Sequence, residues 1–115
     1  MKYHGSCQCG KVKFEAKGEI DSVMACNCSI CSKRATLLWP IPEKSFKLLT
    51  PEAELSTYTF NTHKIKHHFC KICGCAPFSR GTDPKGKSIV AINTHCLDDF
   101  DVTEAEVRRF NGRDL

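Results

Sequence analysis

A mainly β architecture with little helix is expected from the sequence, and three observations predict it. Apolar and charged residues alternate in several short runs, most clearly over Lys11–Lys17. Gly, Pro, Asn and Asp punctuate those runs at intervals too short for long helices. The cysteines, nine in all, gather in tight groups in or beside the turns.

Met1–His4 reads as an opening strand that runs into Gly5-Ser6 and the pair Cys7-Gln8-Cys9. Gly10 follows directly, and a glycine there permits the positive φ of a tight turn whose amides aim at sulfur. In Lys11–Lys17, Val12, Phe14 and Ala16 share one face while Lys11, Lys13, Glu15 and Lys17 share the other. That is the pattern of a half-buried strand. Gly18–Ser22 turns the chain, and Val23-Met24-Ala25 leads to Cys26-Asn27-Cys28-Ser29-Ile30-Cys31. Ser29–Ala35 can form one or two helical turns with Lys33 and Arg34 on the outside.

Thr36–Ile41 is a short apolar run that Pro40 and Pro42 would confine to an edge or an end of a sheet. Phe46–Leu49 and Leu55–Phe60 follow as strands, then a turn at Asn61–Lys64 and a strand at Ile65–Phe69. That strand enters Cys70-Lys71-Ile72-Cys73-Gly74-Cys75, and Ala76–Arg80 leaves it as the return arm of a hairpin. After the Asp83-Pro84-Lys85-Gly86 turn, Ser88–Asn93 is a strong strand. Thr103–Arg109 fits two descriptions: a short helix with Thr103 and Glu106 as a capping box, or a strand ending at Phe110-Asn111-Gly112. The count is about seven or eight strands, without the helix–strand alternation of a parallel sheet.

A chain of 115 residues is expected to form one domain, 1–115, of a size at which a metal staple adds usefully to a modest core. No long apolar run suggests a membrane span, and Met1–Ser6 lacks the apolar stretch of a secretory signal. The expected location is therefore cytoplasmic. In a thiol-reducing compartment, an odd number of cysteines at C-x-C and C-x-x-C spacing favours metal ligation over disulfides. The formal charge is +4. Seven thiolates against two divalent zinc ions would lower it by about three, so a generally basic surface is not expected, nor is a nucleic-acid partner.

Cys7, Cys9, Cys70 and Cys73 supply four thiols, the donor set of a closed structural zinc site; buried unligated thiols are the plainer reading. Cys26, Cys28 and Cys31 supply three. Three protein ligands leave a fourth position for water or substrate, as in catalytic zinc sites. Alternatively a fourth protein ligand closes that site, and Cys75, Cys96, His67, His68 and His95 are available for it.

The stretches Gly5–Gly10, Cys26–Lys33 and Phe69–Gly74, together with Leu97-Asp98-Asp99, resemble the corresponding motifs of the glutathione-dependent formaldehyde-activating enzyme family. Centromere protein V belongs to the same family. The resemblance covers nearly the whole chain, in matching order and spacing. It implies a β-tent of stacked antiparallel sheets with zinc-binding knuckles. It further implies a structural zinc on Cys7, Cys9, Cys70 and Cys73 and a second zinc on Cys26, Cys28 and Cys31, which would carry the catalysis. The implied activity is of carbon–sulfur lyase type: formaldehyde and glutathione, or another small-molecule thiol, joined as S-hydroxymethyl adduct. Other readings of the same motifs are a zinc-stabilised binding module and a thiol-redox or metal-responsive switch.

Plainer roles are expected elsewhere. Lys33 and Arg34 could attract substrate carboxylates, but a solvated helix face accounts for them. Strand alternation sends His67 and His68 to opposite faces, and both are expected near the surface. Trp39 and Phe78 read as core, Cys75 as a small buried residue, and Asp98, Asp99 and Asp101 as an acidic turn.

Overall fold

The computed structural model describes residues 1–114. Ten strands follow one another along the chain: β1 (Lys2–Ser6), β2 (Lys13–Lys17), β3 (Ser22–Cys26), β4 (Leu38–Pro42), β5 (Phe46–Leu48), β6 (Leu55–Tyr58), β7 (Lys66–Cys70), β8 (Phe78–Thr82), β9 (Ser88–Asn93) and β10 (Glu106–Phe110). One short helix, α1 (Ser29–Arg34), follows β3. The strands form two sheets, a small one in the order β1-β2-β5 and a large one in the order β10-β3-β4-β9-β8-β7-β6. The mainly β expectation holds.

The alternation of Lys11–Lys17 does what period-two patterning requires: Val12, Phe14 and Ala16 are fully buried while Lys11, Lys13 and Lys17 face solvent. Phe14 is the hinge of the packing between sheets. Its ring lies 5.5 Å from Phe46 within the small sheet and 5.9 Å from Phe78 on β8 of the large one. Tyr3 on β1 meets Trp39 on β4 edge to face at 5.6 Å. Each such pair adds about 0.5–1.5 kcal/mol to the area term, so the aromatic layer fixes how one sheet sits on the other. Trp39 and Phe78 are core, as expected.

The places of β4 and of the β7 histidines differ from expectation, and the choice left open at Thr103–Arg109 falls to a strand. Pro40 and Pro42 do not place β4 at an edge: it lies between β3 and β9. β9 pairs with it along its whole length, whereas β3 pairs with it only at Met24↔Leu38. The β3 side of β4 is thus already unpaired at the prolines, and their missing N–H groups cost the ladder nothing.

Thr103–Arg109 contains no α-helix. A 3-10 turn at Val102–Glu104 is capped by the Asp101 carboxylate, which accepts from the Thr103 amide, and then β10 begins. β10 runs parallel to β3, from Glu106↔Ser22 to Phe110↔Cys26, the one parallel pair in sheets that are otherwise antiparallel. An added edge strand arriving after a long excursion through the fold needs no crossover helix. Val23–Ala25, which sequence marks only as a lead-in, is a strand because β10 supplies its second partner.

The histidines of β7 are both buried, His67 at 8 % and His68 at 4 % exposure, because α1 covers one face of the large sheet and the aromatic layer the other. Arg80 can only donate, so its Nη1–H, 3.3 Å from His68 Nε2, makes that nitrogen the acceptor. The ring proton then sits on Nδ1 and is donated to Thr57 Oγ1 at 2.9 Å. Glu52 holds the Arg80 guanidinium in two hydrogen bonds of 2.8 and 3.2 Å, and Phe78 lies beneath it at 5.1 Å.

Burial, reinforced by the Arg80 charge, pushes His68 down from 6.5 to about 4. The unfolded chain therefore takes up this proton first as pH falls. Stability is expected to decline between about pH 6.5 and about pH 4 by on the order of 2–3 kcal/mol from this group alone. Urea unfolding of wild type and His68→Gln over that range checks it. The wild type should lose more stability than the variant as pH falls, so that the gap between the two curves changes; parallel curves would contradict the assignment.

Candidate functional site

Each cysteine group is placed by the turn that contains it. Cys7 and Cys9 lie between β1 and β2, in a loop closed by Cys7 N–H on Val12 O at 3.1 Å and Gly10 N–H on Cys7 O at 3.2 Å. Cys70 ends β7, and Gly74 N–H donates to Cys70 O at 2.9 Å. Gly10 and Gly74 both take φ of 81°, a left-handed conformation that side chains disfavour. The two turns face each other. Cys9 Sγ lies 3.6 Å from Cys7 Sγ and 3.6 Å from Cys70 Sγ, and with Cys73 all four sulfurs fall within 4.8 Å of one another.

A strap from late in the chain locks this corner. Leu97 bridges Gly5, Asp98 N–H donates to His4 O at 2.8 Å, and the Asp98 carboxylate accepts the Ser6 hydroxyl at 2.9 Å. Asp99 accepts the His4 amide at 3.0 Å. These acidic residues therefore hold β1 in place, a role that their reading as an acidic turn does not contain.

The second group is built differently. Cys26 ends β3, Cys28 caps α1 and Cys31 lies inside it, so three thiols come from one strand-to-helix junction. Their sulfurs also lie within 4.8 Å of one another. The third wall is the segment after β10. Asn27 N–H donates to Phe110 O at 3.1 Å, and the Asn27 amide side chain donates to Asn111 Oδ1 and accepts from the Arg113 N–H, both at 2.9 Å. Gly112 is pressed against the thiols: a Cβ there would stand 2.5 Å from Cys26 Sγ. Sequence reasoning missed Asn27, Asn111 and Gly112, since no local pattern reports a contact across 84 positions.

The donor chemistry fits divalent metal in both groups. Tetrahedral thiolate ligands about 2.3 Å from zinc stand about 3.8 Å apart, close to the spacing of the first group. Backbone amides already aim at the sulfurs: Val12 at Cys7 (3.3 Å), Ile72 at Cys70 (3.4 Å) and Cys28 at Cys26 (3.5 Å). Ionisation is uneven without a cation. The Cys75 amide, with that of Cys9, draws Cys73 down to about 6, and the amides of Cys73 and Ile72 lower Cys70. The Lys11 amide favours a Cys9 thiolate, but burial and the neighbouring thiols outweigh it and push Cys9 up to about 12. In the second group, burial followed by the Cys28 and Cys26 sulfurs drives Cys31 far above the ordinary thiol range. Burial opposes ionisation of Cys28 too, yet the Cys31 amide and the two neighbouring thiols lower it. Each cluster thus favours ionisation at some thiols, Cys73 and Cys70 in the first and Cys28 in the second, and resists it at another, a repulsion that a bound cation relieves.

Among the described residues, none of Cys75, Cys96, His67, His68 and His95 joins either group. Cys75 is half-buried against the core, as expected. Cys96 is half-buried as well, and burial with the nearby Cys75 and Cys7 pushes it up to about 12.

Two hollows adjoin the second group. An open cleft of about 410 Å³ is lined by Cys28, Ser32, Lys33, Phe60, Asn61 and Arg113. A separate cavity of about 30 Å³ reaches Cys31, Arg34 and His67. Lys33 is exposed, and Arg34 is half-buried with its guanidinium 5.9 Å from the Phe69 ring. The solvated helix face thus holds for Lys33 alone.

A two-sheet β fold that gathers seven thiols at its turns defines the class of protein. Its family is narrower than that: residues 2–113 match the profile described as glutathione-dependent formaldehyde-activating enzyme, and the chain belongs to this family. Among solved structures, a Rhodobacter sphaeroides protein is similar in fold, with a TM-score of 0.78 and 23% identity over 94% of this chain and 100% of that chain. No helix among the described residues is long and apolar enough to cross a membrane.

Gly112→Ala is expected to displace the Cys26 thiol while leaving both sheets intact. Affinity of the Cys26, Cys28 and Cys31 group for zinc should fall about 10–100-fold, the usual effect of disturbing a ligand's support. Competition against a chromophoric chelator measures it, and an unchanged affinity would show that the glycine does not shape the site.

Proposed function

We propose that residues 1–115 form one zinc-binding domain of the β-tent type and that the protein is a zinc-dependent enzyme of carbon–sulfur lyase type. Its substrate in this reading is a small-molecule thiol or thiol adduct, glutathione-like, joined to formaldehyde as an S-hydroxymethyl thioether or released from it. Zinc on Cys7, Cys9, Cys70 and Cys73 is structural, and zinc on Cys26, Cys28 and Cys31 is catalytic. The observation that carries the reading is the contrast between the clusters: four convergent thiols in one, three in the other, with hollows beside Cys28 and beside Cys31. A cytoplasmic location accords with nine unpaired thiols.

A metal ion bound by the three thiols would supply positive charge that keeps a substrate thiol ionised and polarises a carbonyl oxygen. The protein's own groups divide the remaining work. The open cleft is wide enough for a tripeptide, and Lys33 and Arg113 on its walls suit a thiol that carries carboxylates. Phe60 gives that cleft an apolar wall, and the Asn27–Asn111 bond fixes the loop that presents Cys28.

Two substitutions separate the sites. Cys31→Ser should lower bound zinc from two per chain to one, abolish adduct formation and shift the melting temperature only slightly. Cys70→Ser should cost several kcal/mol, about the effect of losing a structural staple, and yield little folded protein. Metal analysis, calorimetry and thiol–formaldehyde condensation followed by NMR make the test. Full activity in Cys31→Ser would defeat the catalytic assignment.

Substrate charge provides a further check. Lys33→Glu with Arg113→Glu should raise KM for glutathione about tenfold or more, at little cost to kcat, and should affect an uncharged thiol such as 2-mercaptoethanol much less. Equal effects on the two thiols would rule out the cleft as the carboxylate-binding side.

A further inference from the structure

The small cavity beside Cys31 has a different character from the open cleft. Its walls include Cys31, Arg34, His67, Phe78, Ser79 and Asn93, and its volume is about 30 Å³. A single water needs roughly 10–15 Å³ by the same measure, so the space holds a molecule of about two heavy atoms.

His67 is the unusual wall. It is only 8 % exposed, and its ring nitrogens make no protein hydrogen bond among the described residues; since no buried polar side-chain atom there lacks a partner, those nitrogens are the accessible part of the ring. His68, its neighbour, has both nitrogens engaged. The His67 ring is instead held by its face, stacked on Phe60 at 5.5 Å and 24°. An accessible imidazole nitrogen with no protein hydrogen bond is free to take a partner from outside the chain. Its place in the cavity wall identifies where that partner would be. Burial and the Arg34 charge lower its proton affinity, which keeps the ring neutral and able to accept. Arg34 likewise has no carboxylate partner among the described residues, so its donors are also available to the cavity.

We infer that this cavity is the carbonyl site and that His67 is the acid–base residue of the thiol addition. The inference rests on the thiol-adduct reading above. In the forward direction the thiol S–H proton passes to a free nitrogen of His67. The sulfur then attacks the carbonyl carbon, a C–S bond forms, and the C=O π pair moves to oxygen. Arg34 donates hydrogen bonds to that oxygen, which takes the proton back from His67 to become the hydroxyl. Nothing is oxidised or reduced in sum, and the reverse sequence cleaves the adduct. The cavity's size restricts the carbonyl to one carbon, while the open cleft beside Cys28 takes the larger thiol.

Three measurements test this. Wild-type protein loaded with zinc is assayed with glutathione and formaldehyde, acetaldehyde or propionaldehyde; the cavity predicts a fall of at least tenfold at each added carbon. His67→Phe keeps the stack on Phe60 and removes both nitrogens; kcat should fall about 100-fold, with zinc content and the KM for glutathione unchanged. Independently of turnover, the imidazole 15N signals of wild type are followed during titration with methanol, an unreactive one-carbon molecule of two heavy atoms whose oxygen can hydrogen-bond. The His67 signals should move while those of His68 stay fixed. An active wild type with equal rates for all three aldehydes, or with an undiminished kcat in His67→Phe, overturns the inference and leaves the thiol-adduct reading standing. If wild type forms no adduct at all, that broader reading fails. The methanol titration then decides the cavity alone, as it does if His67→Phe fails to fold: a static His67 overturns the carbonyl site.

Discussion

The approach of two turns that are distant in sequence is the constraint on which the rest of the molecule depends. Cys9 and Cys70 are 61 positions apart, yet their sulfurs stand 3.6 Å from each other. For this to occur β1 and β2 must lie across the end of β7, which places the small sheet over the large one. Phe14 then falls between Phe46 and Phe78, and Tyr3 reaches Trp39. The Leu97–Asp99 strap secures the same corner through Gly5, Ser6 and His4. In the proposed reading a metal ion closes this contact and converts a long, entropically expensive loop into a fixed one.

The two thiol clusters differ in construction, and the difference is what gives one of them a chemical role in our proposal. Four thiols from two elements satisfy a tetrahedral ion and leave nothing open. Three thiols from a single strand-to-helix junction form a half-shell whose remaining wall is backbone, the Phe110–Arg113 segment, with Gly112 too small to fill it. β10 matters for this reason. It is exposed along its length and adds little to the core, but its pairing with β3 brings Asn111 and Gly112 to the thiols. The hollows beside Cys28 and Cys31 differ in size and charge, an arrangement suited to bringing together two unlike reactants.

Much of this was legible in the residues. The spacing of the cysteines announces the clusters, and the period-two pattern around Phe14 gives both the strand and its buried face. What could not be read locally depends on partners far along the chain. Prolines in β4 look like an edge signal, and only the early end of the β3–β4 pairing explains how a central strand tolerates them. His67 and His68 look like surface residues because histidine is polar; they are buried because one face of β7 meets the aromatic layer and the other meets the region of α1. Gly112 lies outside every motif and Asn27 only fills a gap between two cysteines, since the significance of both lies in a parallel pairing that the intervening sequence does not encode.

X-ray absorption at the second metal, isolated as the difference between wild type and Cys31→Ser, tests the central claim most directly. The account predicts three sulfur neighbours and one oxygen or nitrogen in the resting protein, changing to four sulfurs when glutathione is added. Four sulfurs from the protein alone, unaltered by thiol, would contradict it and make both ions structural.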